Sequence, residues 1–214
     1  DGAAWPSLDN AQKKIIDNAL RDFRLSGVAL PPAEKARFKE IMQGLSNLGD
    51  KFDENLLDAT NAWSKQMTDA DRLAGLPPTA QALMAQTARQ REMQGWVLTL
   101  EFPSYIPVIT YANDRALRRE MYEAYVTRAS DAGPHAGQWD NGPVMEQTLA
   151  LRHESARLLG FSNYAEYSIA PKMAGSTAEV IDFLTDLAQR SLAMARRELE
   201  EVRDFSREHY GVQE

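Results

Sequence analysis

The chain has 214 residues, 43% hydrophobic and 26% charged, which are ordinary values for one large or two small globular domains. It contains no cysteine, which removes disulfide scaffolds, thiolate metal sites and cysteine nucleophiles and suits a reducing cytoplasm. With 31 acidic and 24 basic residues the net charge is −7, so no nucleic acid is expected as a partner. No apolar run approaches the roughly 20 residues that span a bilayer, so no membrane partner is expected either.

The start, Asp1-Gly2-Ala3-Ala4-Trp5, shows neither an initiator Met nor a signal-peptide pattern. The expectation is a numbering that begins inside a longer protein or after a processing event. From Ser7 to Leu25, Ile15, Ala19 and Phe23 recur every four positions and Gly27 follows as a stop signal, which predicts a helix. Pro31-Pro32 opens a second, longer one. Phe38, Ile41, Leu45, Leu48, Phe52, Leu56, Ala59 and Trp63 follow at spacings of three or four and form one face of it. Gly44 and Gly49 each cost about 1 kcal/mol against alanine in a helix, unless they let a neighbouring helix pack closely.

Leu73–Pro78 reads as a loop, followed by a polar helix from Pro78 or Thr79 to about Gln94. Trp96–Leu100, bounded by Gly95 and Pro103, is the one strand signal, and its natural partner is the Trp63–Met67 region. Helical period resumes over Tyr105–Ala112, and again from Asn113 or Asp114 to about Ala129. Asp131–Gly142 is a loop, and Pro143 suits the first turn of a helix that runs to a Gly160 stop. Ser176 and Glu179 match a capping box for a last helix whose apolar residues, from Ile181 to Val202, keep helical spacing to about Tyr210. Its length is roughly 50 Å at about 1.5 Å per residue. A helix that long belongs to a sizeable bundle or packs against something outside this chain. The fold class is therefore all-α: a multi-helix, bundle-like lobe with long helices and at most one small β-ribbon near residues 63–100.

Chemistry-bearing patterns are few. His153-Glu154-Ser155-Ala156-Arg157 approaches the His-Glu-x-x-His zinc pattern, in which two imidazoles one turn apart share a metal. Arg157 occupies the second position, and a guanidinium carries no lone pair to donate. His135 lies in a Gly-rich loop beside Trp139 and Asp140, where a general base is conceivable but no nucleophile has supporting context. His209 sits near a helix C-terminus, where the helix dipole is its expected partner. Glu200-Glu201 and the Asp69/Asp71 pair read as solvated charge. The seven tyrosines, Tyr105, Tyr111, Tyr122, Tyr125, Tyr164, Tyr167 and Tyr210, suit half-buried packing better than a peptide groove. Phosphate-loop, dinucleotide-loop and Gly-x-Ser-x-Gly motifs do not occur.

Three collinear segments carry a family resemblance: Phe102–Ala112 (FPSYIPVITYA), Arg115–Tyr125 (RALRREMYEAY) and Leu158–Ala174 (LLGFSNYAEYSIAPKMA). Together they resemble the thimet-type zinc metallo-oligopeptidases, most closely the bacterial members. The likeness is strong over about Trp96–Ala174 and softer over Ala33–Trp63. It implies a nearly all-helical, two-lobed, cytoplasmic peptidase with a narrow channel for short peptides. It also implies a zinc ion held by a His-Glu-x-x-His helix and a downstream glutamate. That machinery lies in the carboxy-terminal half of such proteins, whereas residues 1–214 resemble the amino-terminal lobe as a single helical region.

The resemblance therefore assigns no catalytic or metal-binding residue to this chain, and singles out no substrate-binding residue. Zinc is the parent enzyme's cofactor and is not bound by this chain alone. The expected partners are short peptides and the missing carboxy-terminal catalytic half. His153, on this reading, lies in a helix well upstream of the zinc helix. The alternative is a free-standing helical interaction module without catalytic activity. A catalytic domain built on His135 or His153 unaided is the remotest of the three.

Overall fold

In the computed structural model, which describes residues 5–211, helices carry most of the chain. Among the described residues there are eight α-helices and two short strands. Of the terminal segment singled out in the sequence, Asp1 to Ala4 lie outside the described residues. The chain divides into two compact units, one of residues 39–152 and one formed by the segments up to Phe38 and from His153.

In the unit of residues 39–152 lies most of helix α2 (Pro32–Ala62), which begins at the proline pair as the sequence predicts. Of its predicted stripe, Ile41 and Ala59 are buried, and Leu45, Leu48, Phe52 and Leu56 are half-buried. A Cβ on Gly44 would stand 3.0 Å from the Leu151 side chain of α6 (Gly142–Leu158), so this glycine does admit a neighbouring helix. Gly49 has nothing within 4 Å of a Cβ and plays no such part.

The ribbon expected within residues 63–100 is present. Strand β1 (Ser64–Met67) pairs antiparallel with β2 (Trp96–Thr99), Ser64 opposite Thr99 and Met67 opposite Trp96. Helix α3 (Pro78–Gln90) packs on β2 and ends four residues before the predicted Gln94, and α4 (Phe102–Tyr111) packs against α3 and β2. Helix α5 (Arg115–Val126) lies against α4 and ends before the predicted Ala129. The shared core is apolar and dense: Met84, Leu98, Val108, Leu117 and Met121 are each 0% exposed.

Asp114 starts α5. Its carboxylate accepts the Leu117 N–H at 3.0 Å and the Arg72 guanidinium at 2.8 Å. The backbone N–H first, and then Arg72, hold this carboxyl below the usual carboxylate range. Asp114→Ala is expected to cost about 1–2 kcal/mol at pH 7, read from urea unfolding. Because the folded pKa is lowered, the contribution is complete above the ordinary value of 3.8 and disappears as pH falls through the folded value. The gap between wild type and variant should therefore close only in acid, below pH 3.8.

The other unit is built differently. Helix α1 (Asn10–Leu25) begins three residues after the predicted Ser7. The reason is that Asp9 and Gln12 exchange side-chain-to-backbone hydrogen bonds and set the first turn there, while Trp5–Ser7 form a separate 3-10 turn. Helix α7 (Tyr164–Ile169), capped by the Asn163 side chain on the Glu166 N–H, is one the sequence reading left out. Helix α8 (Thr177–Tyr210) has 34 residues and ends at Gly211 in the left-handed conformation. Ser176 accepts the Glu179 N–H as predicted, but the Glu179 carboxylate takes the N–H of Gly175 rather than that of Ser176.

Apolar burial is uneven. Among the described residues, eighteen hydrophobic residues are buried in the unit of residues 39–152 and only Phe38 and Ala156 in the other. Neither α1 nor α8 has a single buried residue. Ile15 and Phe23 on α1, and Ile181, Phe183, Val202 and Phe205 on α8, are each more than half exposed.

Candidate functional site

The zinc-like pattern of α6 proves to be a structural joint. His153 and Arg157 lie one helical turn apart and are both exposed. Glu154, at the position a general base would need, is held by Arg37 in a two-pronged ion pair. Arg37 Nε donates to Glu154 Oε1 at 2.7 Å and Nη2 to Oε2 at 2.9 Å. That bonding keeps the Glu154 carboxyl below the usual carboxylate range, the wrong direction for a proton acceptor poised near neutrality. His153→Ala is expected to change stability by less than about 0.5 kcal/mol in thermal or urea unfolding, as for an exposed position outside any network. A loss well beyond that would show a structural role the exposed ring does not suggest.

His135 packs edge-on against Trp139 with ring centroids 5.6 Å apart. It borders a crevice with Trp63, Leu100 and Arg128 that has room for about one water molecule, too small for a peptide. Asp140, the prospective orienting acid, accepts the Gly142 N–H at 2.8 Å and so serves the start of α6. His209 lies in the last turn of α8, its Nδ1 3.1 Å from the Phe205 carbonyl and its ring stacked on Phe205, which agrees with the predicted helix-terminal role.

Four of the seven tyrosines, Tyr105, Tyr125, Tyr164 and Tyr167, are packing groups as expected, whereas Tyr111, Tyr122 and Tyr210 are each more than half exposed. Tyr105 and Tyr125 stack with centroids 3.9 Å apart, and Arg128 lies 3.7 Å over the Tyr125 ring while donating to Thr60 Oγ1. Burial, then the neighbouring Tyr125, pushes the Tyr105 hydroxyl up, so it stays protonated at neutral pH. In the other unit Tyr167 meets Tyr164 edge-on, and burial likewise raises its pKa. The acidic pairs are absorbed locally. Asp69 accepts the Asp71 N–H, Glu200 pairs with Arg203, and Glu201 pairs with Arg197.

Among the described residues, no three of His, Cys, Asp and Glu gather closely enough to hold a metal ion. The zinc implied by the family resemblance thus finds no donor set here, and no chemical step is routed through these residues. What sequence reasoning missed is Arg37, whose partner Glu154 is 117 positions away and carries no local signal. No helix among the described residues is long and apolar enough to cross a membrane.

The sequence pattern of peptidase family M3 matches residues 108–214, half of the chain. The chain belongs to peptidase family M3. It is 53% identical to oligopeptidase A of Salmonella typhimurium over all 214 residues, covering 32% of that protein. Against oligopeptidase A of Escherichia coli the identity is 52%, with the same coverage of both chains. A more distant relative, dipeptidyl carboxypeptidase of Salmonella typhimurium, is 28% identical over 210 residues, 96% of this chain and 30% of that one. The M3 chain described here thus spans about a third of the length of the curated relatives it matches.

Proposed function

We propose that this M3 chain is part of the amino-terminal lobe of a longer, cytoplasmic, zinc-dependent oligopeptidase that hydrolyses short peptides inside an enclosed channel. Its own part is steric. Packed helices form a wall that limits which substrates reach the metal, while the zinc ligands and general base come from the carboxy-terminal remainder. The observation that carries this reading is 53% identity to an oligopeptidase A over every residue of the chain. The absence of a donor set for zinc among the described residues is compatible with it, as is a cysteine-free composition with a reducing compartment.

The test is hydrolysis of a quenched-fluorescent peptide with and without a chelator. The longer polypeptide is expected to cleave it and to lose that activity on zinc removal, and the 214-residue chain alone is expected to be inert. Chelator-sensitive cleavage by the 214-residue chain itself would overturn the assignment of the chemistry to the remainder. The isolated chain is also expected to bind a hydrophobic dye and self-associate, because α1 and α8 expose their apolar faces. Monomeric sedimentation without dye binding would contradict that.

A further inference from the structure

We propose that α8 is a core helix whose apolar arc is covered from two sides by helices from the remainder of the longer polypeptide, an inference that rests on the oligopeptidase assignment. Helical geometry sorts its residues into three strips. One strip, with Ile181, Leu184, Leu192, Leu199 and Val202, runs nearly the whole length, and these side chains are 48–65% exposed. A second strip flanks it over the amino-terminal part only, where Phe183, Leu187 and Met194 are 48–66% exposed. Further along, Glu198 and Glu201 occupy that flank, and Phe205 turns to stack on His209. The third strip is charged, with Asp186 bonded to Arg190, while Arg197 reaches across to Glu201 on the flank.

The width of the apolar arc decides the kind of occupant. Two copies of α8 pairing with each other would need one narrow seam with charges on both its edges. Here the arc covers about half the circumference up to Met194, the pattern of a helix with neighbours on two sides. Beyond Met194 a single neighbour suffices. The strips offer no unpaired charge cluster for an ionic ligand, so the complement is apolar helix surface. Such a neighbour is available, because the matched relatives extend over about three times the length of this chain.

These 214 residues contain no cysteine, so labelling mapped to their peptides reports on the introduced thiol alone. In the longer polypeptide, Ala188→Cys and Ala195→Cys probe the long strip, Leu187→Cys the flank, and Arg190→Cys and Arg197→Cys the charged strip. Maleimide labelling resolved by mass spectrometry is expected to be about 100-fold slower at the three apolar positions than at the two charged ones. In the dilute 214-residue chain the five rates should converge. Equal rates in the longer polypeptide would overturn the proposal. So would protection there that vanishes on dilution, since that assigns the face to a second copy.

Amide exchange across α8 in the unsubstituted proteins reads the same coverage should a variant misfold. Slower exchange in the longer polypeptide supports it, and equal exchange overturns it. Peptide hydrolysis by the same longer polypeptide keeps the two ideas apart. An active enzyme with a reactive α8 defeats only this proposal, whereas an inactive, chelator-indifferent one defeats the oligopeptidase assignment.

Discussion

Gly95→Ala is expected to cost about 3 kcal/mol or more and to unravel the ribbon on which α3 and α4 pack. Gly95 precedes β2 with φ at +81°, and a Cβ there would stand 2.1 Å from the Met67 carbonyl oxygen. That oxygen is main chain in β1, so relief requires moving one strand against the other and losing the Met67–Trp96 pairing. Leu98 and Leu100 behind it are 0% and 1% exposed, which leaves no slack for the shift. Gly137→Ala isolates the conformational part, because Gly137 has φ at +75° but nothing within 4 Å of a Cβ. It should cost only about 1 kcal/mol. Urea unfolding of the two variants measures the difference directly, and equal losses would show that the contact with Met67 does not matter.

The second large effect is expected at Asn141. Its side chain is 2% exposed, accepts a hydrogen bond from Asn55 Nδ2 at 2.8 Å and donates to the Phe52 carbonyl at 3.1 Å. Asn141→Ala removes both partners from groups that water reaches poorly, and should cost about 2–4 kcal/mol. Asn55 is itself only 4% exposed, so the stranded amide is a large part of that loss. Asn55→Ala combined with Asn141→Ala should therefore cost clearly less than the two single losses added together. Strict additivity in urea unfolding would mean the two amides do not act as a pair.

Legibility in the sequence followed the range of the interactions. The long face of α2 and the start of α8 were readable because periodicity and a Ser176 cap are encoded within a few residues. The β1–β2 pairing was readable because Trp96–Leu100 is β-rich and bounded by Gly95 and Pro103, with a short partner at hand. Helix α7 escaped because six residues make too few turns to show a stripe, although Asn163 and Glu166 do carry a local cap signal. The Arg37–Glu154 and Asn55–Asn141 contacts, 117 and 86 residues apart, left no pattern at either end. For the site, sequence chemistry alone speaks against His153 as half of a zinc pair, since Arg157 one turn on has no lone pair to donate. The stripe of α8 announced that it must be buried, but only the structure shows that nothing among the described residues buries it.

The most direct test of this M3 chain as one part of a larger enzyme is the intact mass of the native polypeptide that carries it. An antibody raised against these 214 residues, followed by mass measurement of the captured protein, is sufficient. A chain that covers 32% of its relatives predicts a mass about three times 24.0 kDa. A native polypeptide of 24.0 kDa would contradict it, and would leave the exposed face of α8 to a separate partner.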